Sequence, residues 1–152
     1  MKNIFYTCLL LVNFIYADLL KPANNTELNY THVLFEWEQV YQAENYNFQL
    51  STDQSFNNML VDIIDETTLY IHKTDIIWNS SYYWRVRPIL SDDSYGNWID
   101  TYSFIIGPSI SSAYSINYNE DDYSDGITVF SSFFNYYSAM IDQQGNEIWN
   151  SS

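Results

Sequence analysis

A chain of 152 residues that is 47% apolar and 19% aromatic can bury enough surface to fold as one ordinary domain, or as one small domain with a second piece beside it, which excludes a disordered segment. Its 5 Lys and Arg against 19 Asp and Glu give a formal charge of -14, which repels phosphate backbones and argues against nucleic acid as a partner. An acidic surface of this kind is first of all a solubility device.

The chain opens with Met1-Lys2-Asn3, continues through the largely apolar run Ile4 to Tyr16 and reaches a small residue at Ala17. One positive charge, an apolar centre and a small residue at the end predict a secretory signal peptide over residues 1–17, cleaved after Ala17. The run is broken by Thr7 and Asn13 and falls short of the roughly 20 residues of a membrane span, so no span is expected once it is removed. Cys8, the single cysteine, lies inside it. The mature chain is therefore expected to lack disulfides and thiolate metal sites, and to depend on its core alone.

From Asp18 the chain reads as short strands. Leu20-Lys21-Pro22-Ala23 followed by Asn24-Asn25-Thr26 suits an opening strand and first loop, since proline is tolerated at a sheet edge. Val33, Phe35 and Trp37 alternate with Leu34, Glu36 and Glu38, and Tyr46, Phe48 and Leu50 alternate with Asn47, Gln49 and Ser51. A period of two marks half-buried strands. Phe56, a lone aromatic in the polar loop 51–58, is expected to plug a sheet edge. Met59 to Ile64 and Thr68 to Ile71 are two further extended runs around the acidic turn Asp65-Glu66.

The stretch Ile76 to Arg87 organises the rest. Tyr82, Trp84 and Val86 fall on one face of a strand and Tyr83, Arg85 and Arg87 on the other. A Tyr just after a strand-to-strand corner has the form of a tyrosine corner, whose hydroxyl ties the incoming loop to the strand. Pro88 is expected to close that strand early or to mark an edge. Ser91 to Asn97 is a loop, and Trp98 with Tyr102 to Ile106 supplies the last strand before Gly107-Pro108. About seven short strands with frequent turn signals and no helical period predict an all-β, antiparallel sandwich. The expected inward set is Val33, Phe35, Trp37, Tyr46, Phe48, Leu50, Leu69, Ile71, Ile76, Tyr82, Trp84, Val86 and Phe104, with Trp37 and Trp84 on facing sheets.

On these residues the segment 20–107, within an expected domain of residues 18–107, resembles a fibronectin type III domain of the bacterial extracellular kind. The resemblance rests on Pro22, Trp37, Tyr46 to Ser51 with Asp53 and Phe56, Ile76 six residues before Tyr82, Tyr82 to Arg87, and Gly96-Asn97-Trp98 with Phe104. Ile76 stands where that family prefers Leu, and Asn79-Ser80 replaces a Pro-Gly corner. The resemblance implies a seven-stranded sandwich acting as a spacer, adhesion or binding module, and no chemistry.

Residues 108–125 turn to Ser, Tyr, Asn and acid and read as a linker. The carboxylates from Asn119 to Asp125 raise calcium, but Tyr123 occupies a place where an EF-hand loop wants an oxygen ligand and Ser132 stands where its closing Glu should be, which favours a solvated loop. Residues 126–152 start a second β pattern: Ile127 to Phe130, Tyr136 to Ile141, then a hairpin turn over Asp142 to Asn146 into Glu147-Ile148-Trp149. A lone hairpin of this size is not stable in water, so a longer protein is expected. Residues 126–150 resemble the opening of an arylsulfotransferase-type β-propeller. In that family sulfuryl transfer uses a histidine and basic residues deeper in the propeller, to which no position here corresponds.

No catalytic residue emerges. His32 and His72 sit at strand ends and read as surface histidines without a partnered nucleophile. Phosphate loops, zinc-protease and serine-hydrolase motifs are absent from the sequence, and neither a metal site nor a cofactor is expected. Asp92-Asp93 and Asp121-Asp122 are adjacent in loops, with nothing to hold them across a sugar. Tyr95, Trp98 and Tyr102 flank one loop and are the candidate ligand-stacking residues, with Trp98 otherwise expected as a lid over the core. The function expected is a secreted, extracellular or periplasmic, noncatalytic module whose partner is carbohydrate or protein at a cell surface. The alternative is the N-terminal accessory part of a secreted sulfotransferase-like propeller enzyme, partnered by a β domain downstream in the same chain.

Overall fold

The structure, a computed structural model, describes residues 17–110, 126–133 and 137–151. The predicted signal peptide up to Tyr16, and the acidic stretch with its calcium question, lie outside the described residues. Every regular element described is a strand: β1 (Leu19–Lys21), β2 (Thr26–Leu28), β3 (Val33–Trp37), β4 (Ala43–Ser51), β5 (Met59–Asp65), β6 (Leu69–His72), β7 (Ser80–Leu90), β8 (Thr101–Ile106), β9 (Thr128–Ser132), β10 (Tyr137–Ile141) and β11 (Glu147–Asn150). None of the described segments is a helix long and apolar enough to cross a membrane.

Two sheets close over one core in a sandwich-like arrangement. One has the order β1-β3-β6, the other β2-β8-β7-β4-β5. The alternation in the sequence is what joins them, because each strand turns one set of side chains inward. Phe35 on β3 reaches across to Phe48, Trp84 and Phe104 with ring centroids 4.9, 5.3 and 5.8 Å apart. Trp37 stacks on Phe48 at 5.9 Å, and both Trp37 and Trp84 are buried, at 1% and 0% exposure. Tyr46, Tyr82 and Val86 are buried in the same cluster.

The corner before β7 is fixed by a hydrogen bond. The Ile77 N–H donates to the Tyr82 hydroxyl at 2.8 Å. Asn79 has a left-handed φ of 57°, and Asn tolerates that region better than most residues, which is how Asn79-Ser80 turns the chain without a glycine. A second tyrosine tie holds the turn before β4, where the Val40 N–H donates to the Tyr46 hydroxyl at 2.8 Å.

Four expectations are corrected. The opening segment is two strands: β1 pairs antiparallel with β3, and β2 crosses to pair in parallel with β8. Pro88 does not end its strand, since β7 runs on to Leu90 and Pro88 pairs with Tyr46 of β4. Its carbonyl accepts the Gly96 N–H on the side away from β4, so the missing proline N–H falls on that side too and costs no bond to β4. A Cβ on Gly96 would sit 2.7 Å from Pro88 Cγ, so this close approach requires glycine. The third correction is to β6, where Leu69 and Ile71 face outward at 50% and 51% exposure. Tyr70 and His72 take the inward phase, with Tyr70 packed on the rings of Phe48 and Phe35 at 5.0 and 6.5 Å.

His72 is the fourth correction, being buried instead of a surface residue. Its Nδ1 lies 3.3 Å from the Tyr70 hydroxyl, and its Nε2 has no hydrogen-bond partner among the described residues. Burial holds its pKa below the ordinary 6.5, against the pull of Asp75 and a backbone bond at Thr74. Folding therefore favours the neutral ring. The stabilisation is complete above pH 6.5 and is lost as the pH falls through 6.5 towards the lowered folded value, because the unfolded chain binds the proton first. Urea midpoints at pH 7.5 and 5.5 should drop further for the native protein than for His72→Gln; equal drops would show that His72 carries no such linkage.

The remaining strands form a third sheet, β11-β10-β9, which docks on the sandwich. Beta-strand pairing continues from β11 to residues 29–31: Thr31 N–H donates to the Ile148 carbonyl and Asn150 N–H to the Asn29 carbonyl, both at 3.0 Å. Trp78 Nε1 donates to the Glu147 carbonyl at 2.9 Å. Asn150, fully buried, donates through Nδ2 to the Pro108 carbonyl at 2.9 Å and to Glu147 Oε1 at 2.7 Å. The turn between β10 and β11 is capped by Asp142, which accepts from the N–H groups of Gln144 and Asn146, while Gly145 takes a φ of 86°.

Candidate ligand-binding surface

The outer face of the five-stranded sheet is built from the strand phase opposite the core. Register sets Gln49 beside Arg85 and Asp62, and Asn47 beside Arg87. These five side chains form one hydrogen-bonded row across three strands. Arg85 donates from Nε and Nη2 to Gln49 Oε1 at 2.9 and 2.7 Å, and Arg87 Nε to Asn47 Oδ1 at 2.9 Å. The two amides donate in turn to the Asp62 carboxylate, Asn47 at 2.7 Å and Gln49 at 3.0 Å. Each amide thus has a cation on its oxygen and an anion on its nitrogen, which relays the Asp62 charge to both arginines.

Aromatic rings cover that row. The Arg85 guanidinium lies 3.8 Å from the Phe56 ring centroid and 4.0 Å from that of Trp98, while Arg87 lies 4.1 Å from Tyr95 and 4.4 Å from Trp98. Contacts run in order from Phe56 through Arg85, Trp98 and Arg87 to Tyr95, at distances where the ring quadrupole attracts a cation. Burial and the neighbouring Arg87 charge lower the pKa of Arg85, with Asp62 opposing. Phe56 is indeed buried at the sheet margin, its loop capped by Asp53, whose carboxylate accepts the Asn58, Ser55 and Asn57 N–H groups and is held below the usual carboxylate range chiefly by the Asn58 bond.

The predicted stacking residues do not make one platform. Tyr95 and Trp98 meet through Arg87 on the outer face. Tyr102 sits on the opposite face of the sheet, edge-on to Trp84 at 6.0 Å, and donates its hydroxyl to Asp18 at 2.8 Å. That bond raises its pKa to about 12. Trp98 is also not a lid on the core, because the core-packing neighbour from this segment is Ile99.

Among the clefts on the described residues, two stand out by size. The first, about 670 Å³, lies between the sandwich and the turn of the third sheet and is walled by His32, Lys73, Asp75, Asp142 and Glu147 among others. His32 is half-buried there, its pKa lowered by burial and Lys73 and raised by Asp142. The second, about 790 Å³, opens between the turn at Gln39 to Gln42 and the segment Asn97 to Ile99, with Tyr41, Trp98 and Pro88 in its wall. Among the described residues no group of three or more His, Cys, Asp or Glu is placed to hold a metal ion.

Sequence reasoning missed Tyr41 and the amide row. The row had a readable signal in Asn47-x-Gln49 and Arg85-x-Arg87, two pairs of polar residues in the outward phase of strands that each carry an apolar inward phase. Tyr41 had none, since an exposed aromatic in a turn looks like any other. No protein-family model matches this chain, and no curated protein matches it.

Proposed function

We propose that residues 18–107 form a fibronectin type III-like sandwich that serves a secreted protein as a noncatalytic spacer or ligand-binding module. The observation that carries this reading is the strand order, β1-β3-β6 over β2-β8-β7-β4-β5, joined to the Tyr82 tie at the corner before β7. The rigid row beneath the Phe56, Trp98 and Tyr95 rings supports it as well, because it invests both arginines of β7 in structure and leaves a stiff outer face. Export is the first test. Protein recovered from the medium or periplasm should begin at Asp18 by N-terminal sequencing, whereas retention of Met1 would overturn secretion. Incubation with aryl sulfates should give no turnover, and measurable transfer would overturn the noncatalytic reading.

A second reading has one observation in its favour. The β9-β10-β11 sheet exposes Ile127, Val129 and Phe133 and is pinned to the sandwich by β11. This suits the accessory part of a larger secreted β-propeller of the arylsulfotransferase kind. Reading the gene past the Ser152 codon separates the two: repeats of about 40 to 50 residues carrying new histidines and arginines favour the enzyme.

A further inference from the structure

The cleft at Tyr41 differs in chemistry from the rest of the molecule. Charged residues make up 16% of this chain, yet none stands among the described residues of that wall. Apolar surface comes from Tyr41, Trp98 and Pro88, and polar groups come from the amides of Gln39, Gln42 and Asn97. Tyr41 is 86% exposed, so its ring is open to a ligand, unlike Tyr95 and Trp98, which spend ring surface on arginine. The three amides make no hydrogen bond to other described residues, in contrast to Asn47 and Gln49, which are bonded on both their oxygen and nitrogen.

We propose that this cleft binds a neutral saccharide, one sugar ring lying against Tyr41 and its hydroxyls meeting the amides of Gln39, Gln42 and Asn97. The chemistry favours this occupant on three counts. A pyranose presents a flat C–H face that an exposed aromatic ring covers, and a rim of hydroxyls that each donate and accept. Amide side chains also donate and accept, so they match a hydroxyl in either sense, whereas an extended proline-rich peptide offers mainly carbonyl acceptors. Acidic sugars are disfavoured, because no side chain of the wall is a cation that could receive a carboxylate and the chain as a whole carries a charge of -14.

The assignment rests on the binding-module reading and names its ligand class, keeping Trp98 in the wall and moving the stacking contact from Tyr95 and Tyr102 to Tyr41. Calorimetric titration of the purified protein with neutral gluco-, xylo- and manno-oligosaccharides tests it, alongside a uronic-acid oligomer and a proline-rich peptide. At least one neutral oligosaccharide should bind, and Tyr41→Ala should weaken it by about tenfold or more. Because Tyr41 is almost fully solvent-exposed, that variant keeps its fold; Ile71→Ala, exposed on β6 and outside the cleft, should leave binding unchanged. Absence of binding at millimolar sugar, binding indifferent to Tyr41→Ala, or binding of the peptide alone would each overturn the assignment. Chromatography of the same mixtures distinguishes the two levels. Intact sugar without binding removes only the ligand, while cleaved or modified sugar overturns the noncatalytic module itself.

Discussion

Trp84→Ala is expected to cost about 3 to 5 kcal/mol of stability. The ring is wholly buried on β7, in the middle of the five-stranded sheet, and touches Phe35, Phe48 and Tyr102 at centroid distances of 5.3, 6.3 and 6.0 Å. Three rings would lose a neighbour at once, and sheet strands cannot close a gap of that size by shifting a side chain. Since a small domain has about 5 to 15 kcal/mol in all, the variant should unfold at markedly lower urea, or be recovered unfolded. Trp84→Phe should be far milder. It keeps most of the packing and removes an indole N–H that, among the described residues, has no acceptor, so the lost bond costs nothing. A Trp84→Ala protein within about 1 kcal/mol of the native one, the range of a surface change, would contradict the core described above.

Asn150→Ala should release the third sheet from the sandwich while leaving the sandwich folded. The Asn150 side chain is buried and bridges the Pro108 carbonyl and the Glu147 carboxylate, which also accepts the Ile110 N–H at 3.1 Å. Removing it takes a donor from a carboxylate that is itself buried, at a cost of about 1 to 3 kcal/mol. Hydrogen exchange reads the effect locally, because sheets open with their own free energies. The amides of Thr31 and Asn150, whose N–H groups bond across the seam, should exchange about 5 to 150 times faster, with those of β4 and β7 unchanged. Equal exchange in both proteins would show that backbone pairing to residues 29–31 holds the sheet without this side chain.

How far the sequence could be read depended on how many phases of a strand carried apolar residues. On β3 and β7 one phase carries the charged residues, Glu36 on β3 and Arg85 and Arg87 on β7, so Val33, Phe35, Trp37, Trp84 and Val86 in the other phase could be assigned without knowing their partners. The four residues of β6, Leu69-Tyr70-Ile71-His72, offer apolar bulk in both phases, and there the alternation decided nothing. The rings of Phe35 and Phe48 chose Tyr70, and His72 followed it inward because it shares the phase. Pro88 left an end or an edge open for a related reason: a proline rules out a ladder bond on one side of a strand only, and here that side is the one where β8 pairing has already stopped at Arg85.

The candidate site was less legible than the core. Arg85 and Arg87 were visible as an outward pair, but their partners come from four other places in the chain: Asn47 and Gln49, Phe56, Asp62, and Tyr95 with Trp98. Cation and ring attract only within a few ångströms, and no local spacing encodes such an approach. Tyr41 acquires meaning solely from facing Asn97 and Trp98 across a cleft.

By itself, then, the order of residues determined that the chain is β-rich, where most strands run and which indoles go inside, since these follow from a two-residue period and from water's exclusion of large apolar rings. Only the tertiary structure decided the phase of β6, the crossing of the opening segment between sheets, the stacking of arginine on aromatics, and the seating of β11 against residues 29–31. Each of those depends on contacts between groups far apart in sequence, whose energies exist only once the sheets have brought them within reach.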